Sequence, residues 1–440
     1  MNRIFLTFCA SFIALSSFAG GLLTNTNQNA TFLRNPARDA AIAIDGVYSN
    51  PAGIAFLEKG FHLSLSWQAA FQKRQITSNF TPYLLGGDTD GSKYFEGVST
   101  APVIPSVQAA YVINDKWSIS AQFAVGGGGG KCEFEQGLPM FEKLVYSNLA
   151  TGAAQNNGAL KSYSLNQTLI GEQYFYGFQL GGTYKINNNV SIFAGARGVL
   201  ANCSYTGAIT NIKGVIAIQH PIAGPMEVPA QGDDLTLDCS QSGFGVTPII
   251  GVDVNLGKLN LAAKYEFRTK LNLENESNNS ANVDALMPAY ANGAKVRSDI
   301  PGILTLGAQY SILPSVRVAA GFHYYWDKDA KGTAIKDGDN TWEALLGVEW
   351  DINDKWLVSA GAQRTQYGFK DSDMSDLNFN INSTALCIGG AYKFNDRMKL
   401  NIGYMHSFYG EHNVEGAAAG MNDLYTRKND VIGASFDIKF

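Results

Sequence analysis

From Phe61 to the last residue, apolar and polar positions alternate in segments of about ten residues, the period of a strand that shows one face to lipid and the other to water. The first segment sets the pattern: Phe61, Leu63, Leu65, Trp67, Ala69 and Phe71 fall on one face, and His62, Ser64, Ser66 and Gln68 on the other. The next two place Val103, Val107, Ala109 and Tyr111, then Trp117, Ile119, Ala121, Phe123 and Val125, about a tight turn at Asn114-Asp115. Further pairs follow at 176–180 and 190–194 about Asn187-Asn188-Asn189, 244–254 and 259–267 about Gly257, and 304–312 and 316–326 about Pro314. Two more lie at 342–352 and 356–362 about Asn353-Asp354, and at 384–394 and 398–408 about Asn395-Asp396. A last segment carries Ile432, Ala434, Phe436, Ile438 and Phe440. The pattern predicts fourteen strands, six short turns and seven long loops. An even count with all short turns on one side is the plan of an all-β, antiparallel transmembrane barrel.

Closure follows from the solvent. Lipid offers no hydrogen-bond partner, so an open sheet edge would leave backbone groups unsatisfied, and only a closed barrel avoids that cost. All six tryptophans (Trp67, Trp117, Trp326, Trp342, Trp350 and Trp356) fall on the face read as outward, most of them near strand ends, where interfacial girdles form. A soluble β-sandwich would instead turn its apolar faces toward one another.

Composition narrows the class. The 440 residues include 47 Gly and only 16% charged side chains, with a net charge of −5, which argues against an electrostatic nucleic-acid binder. Beyond the N-terminus no apolar run is long enough for a transmembrane helix. The N-terminus itself carries Arg3, an uncharged apolar run over 4–15, and Ser17-Phe18-Ala19 with small residues at the −3 and −1 positions, so residues 1–19 are expected to be a signal peptide. Its removal takes Cys9 and leaves Cys132, Cys203, Cys239 and Cys387 in an oxidising compartment. Cys203 and Cys239 stand at the two ends of one long loop, and a bridge between them is expected, worth about 3–4 kcal/mol in the chain-entropy account. For Cys132 and Cys387 a second bridge stays open, although Cys387 lies mid-strand facing inward, which suits a free buried thiol.

Residues 20–59 show no strand alternation and are rich in small and amide side chains, which suits a plug in a polar lumen. Two stretches in it, Arg34-Asn35-Pro36-Ala37-Arg38-Asp39-Ala40 and Ala43-Ile44-Asp45-Gly46-Val47-Tyr48-Ser49-Asn50-Pro51-Ala52-Gly53, resemble the N-terminal hatch of the FadL/TodX long-chain fatty acid transporter family. The family's Asn-Pro-Ala signature aligns with Asn50, Pro51 and Ala52, and Asn35, Pro36 and Ala37 form an additional copy. From the residues alone, Asn-Pro fixes a turn, because proline restricts its own φ and excludes the helical region for the residue before it. The resemblance implies more: a hatch over 20–59 inside a barrel over 60–440, hatch movement on ligand binding, and sideways exit through a gap at a kink in the third strand. In this chain the third strand runs into Gly126, Gly127, Gly128, Gly129 and Gly130, which cannot seal a wall with side chains and which permit a kink.

Capture of a greasy ligand needs apolar loop residues, and Leu138, Phe141, Leu144 and Val145 recur at helical spacing in the loop after the third strand. Later loops add Val215, Ile216, Ile218 and Ile222, then Leu286, Met287 and Tyr290, and all of these can equally pack as a lid. Inward register places Arg197, Lys264, Arg268, Arg317 and Lys393 toward the lumen together with Asp253, Glu266, Glu343 and Glu349. Arg197 and Lys264 are the candidates for a ligand head group, although lumen charges also pair with one another or with plug residues such as Asp39 and Asp45. The five histidines lack metal-ligand spacing and no G-x-S-x-G motif occurs, so neither a metal, a cofactor nor enzymatic activity is expected.

The expected protein is thus a monomeric Gram-negative-type outer-membrane barrel, delivered by the barrel-assembly machinery and seated in outer-membrane lipid, with no nucleic-acid partner. Passive uptake of long-chain fatty acids or other hydrophobic small molecules is the expected function. The alternatives are an adhesion or structural barrel with long binding loops, and a barrel-embedded lipid hydrolase with a triad drawn from separate strands.

Overall fold

The computed structural model describes residues 24–220, 224–332, 335, 337–416 and 421–440. The expected signal peptide and Ile222 lie outside the described residues. Fourteen strands form the barrel: β1 (Gly60–Asn79), β2 (Ser92–Val112), β3 (Trp117–Phe134), β4 (Gly158–Lys185), β5 (Val190–His220), β6 (Leu235–Asn255) and β7 (Leu259–Glu266). They continue as β8 (Ile303–Leu313), β9 (Val316–Tyr325), β10 (Trp342–Asp351), β11 (Trp356–Gln366), β12 (Ser383–Asn395), β13 (Met398–Tyr409) and β14 (Asn422–Lys439). Each pairs antiparallel with its neighbours, and β14 closes on β1 from His62 opposite Lys439 to Asn79 opposite Asn422. Four short strands, Gly224–Gln231, Asn272–Ser277, Lys295–Arg297 and His412–Glu415, extend the sheet in the long loops. No helix among the described residues is long and apolar enough to cross a membrane.

The six short turns fall where the sequence places them, and asparagine shapes most of them. Asn114 Oδ1 accepts from Lys116 N and Trp117 N, Asn187 Oδ1 from Asn189 N and Val190 N, and Asn353 Oδ1 from Lys355 N and Trp356 N, all at 2.9–3.0 Å. Each side chain thereby satisfies turn amides that have no ladder partner, the reason asparagine recurs there. Gly257 (φ 79°) supplies the left-handed position of another turn.

The faces sort as expected. Trp67, Trp117, Trp350 and Trp356 are exposed and Trp326 and Trp342 half-buried, with Leu180, Phe244, Leu346 and Ile388 among the outward aliphatic and aromatic side chains. Phe61 and Phe440 meet across the β1–β14 seam with ring centroids 5.6 Å apart. Inward, Ser64, Ser66, Gln68, Gln108, Ser118, Gln122, Gln179 and Thr183 line the half nearest the short turns. Val125 departs from the pattern: expected outward, it is buried, because β3 bends at that point.

Candidate functional site

The plug occupies the polar half of the lumen, and wall glycines make room for it. Asn29 caps α1 (Ala30–Arg34), its side chain accepting from Thr31 N, and α2 (Gly46–Ser49) leads into a short 3-10 helix over Pro51–Phe56. Gly307, Gly321, Gly347, Gly361, Gly389, Gly403 and Gly433 sit one to a strand from β8 to β14 and form a belt against residues 33–40. A Cβ at Gly307 would stand 2.6 Å from Ala40 N, and one at Gly403 2.7 Å from Arg34 N; one at Gly347 would overlap the Asn35 side chain, and one at Gly361 the Pro36 ring. The first Asn-Pro-Ala copy is therefore a seat against bare backbone, with Asn35 Oδ1 accepting from Ala37 N at 3.1 Å.

The second copy is held by hydrogen bonds. Asn50 Nδ2 donates to Asp253 Oδ2 (2.5 Å) and Asn50 Oδ1 accepts from Gly53 N (3.2 Å); Thr183 Oγ1 donates to Pro51 O (2.9 Å) and Ser191 Oγ to Ala52 O (2.7 Å). Three strands, β4, β5 and β6, thus each hold one residue of the signature.

Ion pairs complete the seat. Glu349 on β10 accepts from Arg34 (2.6 Å), Arg38 (3.0 Å) and Arg317 (3.2 Å), and Arg38 also forms a bidentate pair with Asp45 at 2.7 and 2.9 Å. Burial alone would raise the Asp45 carboxyl, yet the Arg38 guanidinium holds it below the ordinary carboxylate value. His323 bridges plug and wall, with Nε2 3.0 Å from Asp39 and Nδ1 2.9 Å from Glu343. Arg197 and Lys264, the expected head-group cations, both bind Glu266, at 2.6 and 2.7 Å, and Lys264 also donates to Tyr48 O at 2.8 Å. Lys264 is thereby part of the plug seat, whereas Arg197 still borders a cavity of about 360 Å³ with Thr24, Gly126, Phe175 and Thr247. Arg317 is only half-buried, Lys393 is exposed at the rim, and Arg268 lies just past β7 with about a third of its side chain exposed, so register alone misplaced the last two.

Toward the long loops the two wall faces exchange polarity. On β5 the outward face runs Ile192, Ala194, Ala196, Gly198, Leu200 and then Asn202, Ser204, Thr206, while the inward face runs Ser191, Phe193, Gly195, Arg197 and then Val199, Ala201, Cys203, Tyr205. On β6, Phe244 and Val246 face out below Ser242, Ser240 and Asp238, and Leu237 and Cys239 face in. The strands outrun the lipid here, so their outer face is wetted and their inner face encloses an apolar cluster with Phe175, Leu271, Leu273, Val283 and Tyr290. Cys203 and Cys239 belong to this cluster: they stand diagonally on paired strands, Tyr205 opposite Cys239 and Cys203 opposite Gln241, and both are free thiols. The expected bridge is corrected accordingly, because the strands run far beyond the point where the loop was expected to begin. Cys132 and Cys387 are also free and buried.

Outside the cluster, α3 (Pro139–Gln155) and α4 (Ala281–Leu286) frame a groove of about 670 Å³ walled by Met140, Phe141, Leu144, Ile209, Leu237 and Met287. Of the expected groove residues, Phe141 and Leu144 line it, while Leu138 and Val145 are buried beneath the helix. Val215, Ile216 and Ile218 lie on the extension of β5 rather than in a loop. Helix α3 is pinned by Lys93 to Glu142 (2.6 Å), Lys143 to Asp423 (2.7 Å), and Asp376, which accepts from Met140 N (2.7 Å) and Tyr425 Oη (2.8 Å).

Burial and the nearby Asp423 push the Asp376 carboxyl up to about 6 from its ordinary 3.8. A raised folded-state value means that Asp376 contributes stability fully below pH 3.8 and loses it as pH rises through 6. The stability of the wild-type chain relative to Asp376→Asn, which mimics the protonated acid, is expected to fall between pH 4 and 7 in thermal unfolding at fixed salt. A constant difference across that range would contradict this burial.

The wall is discontinuous at the glycine run. Ser99 pairs with Cys132 and Ser106 with Ala124, and between them residues 100–105 of β2 and 125–131 of β3 have no ladder. On the other side, Val125 pairs with Tyr176 and Gly130 with Gln173, so β3 carries two residues more than β4 and buckles. Gly128 (φ 88°) and Gly130 (φ 71°) take left-handed backbone, and a Cβ at Gly128 would overlap Gln173 O. The plug occupies part of the place left by β2: Asn25 N donates to Gly126 O (2.9 Å) and Asn25 Nδ2 to Gly128 O (3.4 Å), while Ser99 Oγ donates to Gly129 O (3.0 Å).

Known proteins share this build. Residues 234–412 match the sequence profile of the Gram-negative porin family. A comparison with curated proteins finds no match. Among solved structures, a FadL homologue from Pseudomonas aeruginosa superposes with a TM-score of 0.67 at 13% identity, covering 95% of this chain and 99% of that one. The toluene transporter TodX of P. putida (TM-score 0.56, 14% identity, 90% and 94% covered) and the toluene transporter TbuX of Ralstonia pickettii (0.54, 12%, 94% and 99%) are similar as well. A closed fourteen-stranded wall with a lipid-facing apolar band, an N-terminal hatch in its lumen and these likenesses together make the chain an outer-membrane barrel with the FadL/TodX fold.

Proposed function

We propose that the chain carries hydrophobic small molecules, long-chain fatty acids among them, passively across the outer membrane. A ligand caught in the groove under α3 passes into the apolar cluster of β4–β6, and leaves sideways between β2 and β3 once the leading plug residues 24–29 withdraw from the kink. The observation that carries this reading is the coincidence of two features at one height: the unpaired stretch of β2 and β3, and the plug amide at Asn25 that bonds to its freed carbonyls. An apolar ligand has no reason to cross the polar half of the lumen, whereas the gap offers it lipid directly. Transport of toluene by TodX and TbuX, as their names state, and the FadL likeness support a hydrophobic ligand. Binding, orientation and release suffice for such a channel, and no energy source is needed for movement down a gradient.

The test removes the buckle. Deleting Gly126 and Gly128, the surplus by which β3 outruns β4, matches β3 to β4 and leaves one residue of β2 to be taken up as a bulge, so that β3 can pair with β2 on both sides of it. Cells carrying this variant as their only such channel are expected to take up labelled oleate no faster than cells without it, while oleate still binds the purified barrel. Unchanged uptake would refute sideways exit, and a barrel that binds no oleate at all would fit the adhesion alternative.

A further inference from the structure

The inner mouth of the gap carries neutral hydrogen-bonding side chains beside apolar ones, and no charged one. Asn25, Asn27, Gln28, Gln68 and Ser106 flank a small space that Ile104, Pro105, Ala124 and Val125 border on the wall side. It has room for about one water-sized group, the scale of a hydroxyl or carboxyl oxygen and not of an acyl chain. The amides are cross-linked: Gln122 Nε2 donates to Gln28 Oε1 (2.7 Å), Asn27 Nδ2 to Gln68 Oε1 (3.2 Å), and Gln68 Nε2 to Asn27 O (2.6 Å). Even so, Ser106 Oγ, Gln122 Oε1 and Gln108 Nε2 are buried without any partner, although each of these residues is at least nine-tenths buried. Ser106 borders the space, and Gln108 and Gln122 face each other on β2 and β3 two positions further along. Buried polar atoms in native proteins are nearly always satisfied, so these neighbouring orphans mark a place where a ligand or water completes them.

We propose that this amide pocket is a head-group filter: the channel releases amphiphiles whose head is neutral and both donates and accepts, a protonated carboxylic acid or an alcohol, in preference to plain hydrocarbons. The proposal rests on the sideways route above. A hydrocarbon passing the pocket would have to separate or cover the amides without replacing their hydrogen bonds, while a carboxyl or hydroxyl group supplies one donor and one acceptor to match Gln122 Oε1, Gln108 Nε2 and Ser106 Oγ. No charged side chain lines the pocket, and lipid lies beyond it, so an acid leaves as its protonated form. Selection at the exit differs from selection at the groove, whose lining is almost wholly apolar and accepts any greasy chain.

Uptake of dodecanoic acid, 1-dodecanol and dodecane, three probes of one chain length, separates these roles in cells bearing the full-length barrel, with cells lacking it as background. The wild type is expected to favour the acid and the alcohol over dodecane. Ser106→Ala combined with Gln122→Leu is expected to slow the acid and the alcohol roughly tenfold, the effect of about one hydrogen bond to the moving head, with no slowing of dodecane. Ser106→Ala alone removes a hydroxyl that bonds to nothing in the folded chain, so it keeps the test valid if the double variant folds poorly; it is expected to slow the same two probes less. Equal wild-type rates for all three probes, or a uniform slowing by the single variant, would overturn the filter while leaving transport intact. Failure of every probe to exceed background would instead overturn the transport reading, and the filter with it.

Discussion

Replacing Glu349 by leucine is expected to lower the barrel's unfolding temperature and to make the plugged lumen leak ions. This carboxylate faces Arg34, Arg38 and Arg317 at 2.6–3.2 Å, and all but Arg317 are almost fully buried. Leucine would leave the guanidiniums of the plug buried beside an aliphatic chain, and breaking a buried pair from one side costs about 3–5 kcal/mol. Arg38 keeps Asp45, but Arg34 keeps only a 3.1 Å bond to Ser359, so the loss falls on the segment that holds the first Asn-Pro-Ala copy. The heat-modifiable shift in gel mobility reads the stability, and planar-bilayer conductance reads the leak. Glu349→Gln, which keeps shape and acceptor oxygen, is expected to lie between leucine and wild type. Unchanged melting and conductance in the leucine variant would show that the cluster does not hold the plug.

Gly347→Val is the second large effect, and it acts through space rather than charge. Its Cβ would overlap the Asn35 side chain, and valine adds two further carbons to that overlap. Overpacking in a closed core typically costs about 1–3 kcal/mol, and here the yielding partner is the plug, because the barrel wall is tied on both sides, to Ala319 on β9 and Gly361 on β11. The expected result is a folded barrel whose residues 33–40 become cleavable by added protease from the long-loop or short-turn side. Asn35→Gly, which empties the same space, is expected to restore protection to the double variant; a cycle showing no coupling between the two sites would refute the seat. Valine at Gly87, which has nothing near its Cβ position but a left-handed φ of 91°, is a control that tests strain without a plug contact.

Strand number, turn positions and facing were legible in the sequence because they are local. Alternation is set by lipid on one side and water on the other, so each ten-residue segment states its own orientation, and asparagine at the turns states where the ladder ends. Helix α3 was legible for the same reason, from Leu138, Phe141 and Val145 at helical spacing. The polarity exchange above Leu200 on β5 was present in the same letters and would have revealed the extended strands and the apolar interior. Alternation continues there with the faces reversed, so the outward face taken alone has the polarity of a loop. Cys203 and Cys239 then fall at loop ends, which is what suggests a disulfide between them.

Charge partners were not legible, because inward register says that Arg197, Lys264 and Glu349 share a lumen and nothing about which meet. Glu266 lies 69 residues from Arg197 and Glu349 315 from Arg34, and only the curvature of the closed wall brings each pair within bonding distance. The glycine belt shows the same limit. Seven glycines spread over β8–β14 are unremarked in a glycine-rich chain until strand stagger brings them to one height opposite the plug. What the sequence by itself determined is the set of strands, their facing and the plug's place ahead of them, since each follows from contacts with solvent or with near neighbours in the chain. The seat of the plug, the pairs that lock it, and the break between β2 and β3 were decided by the tertiary structure, because they depend on how far each strand is shifted against the next when the sheet closes, a quantity that no single strand encodes.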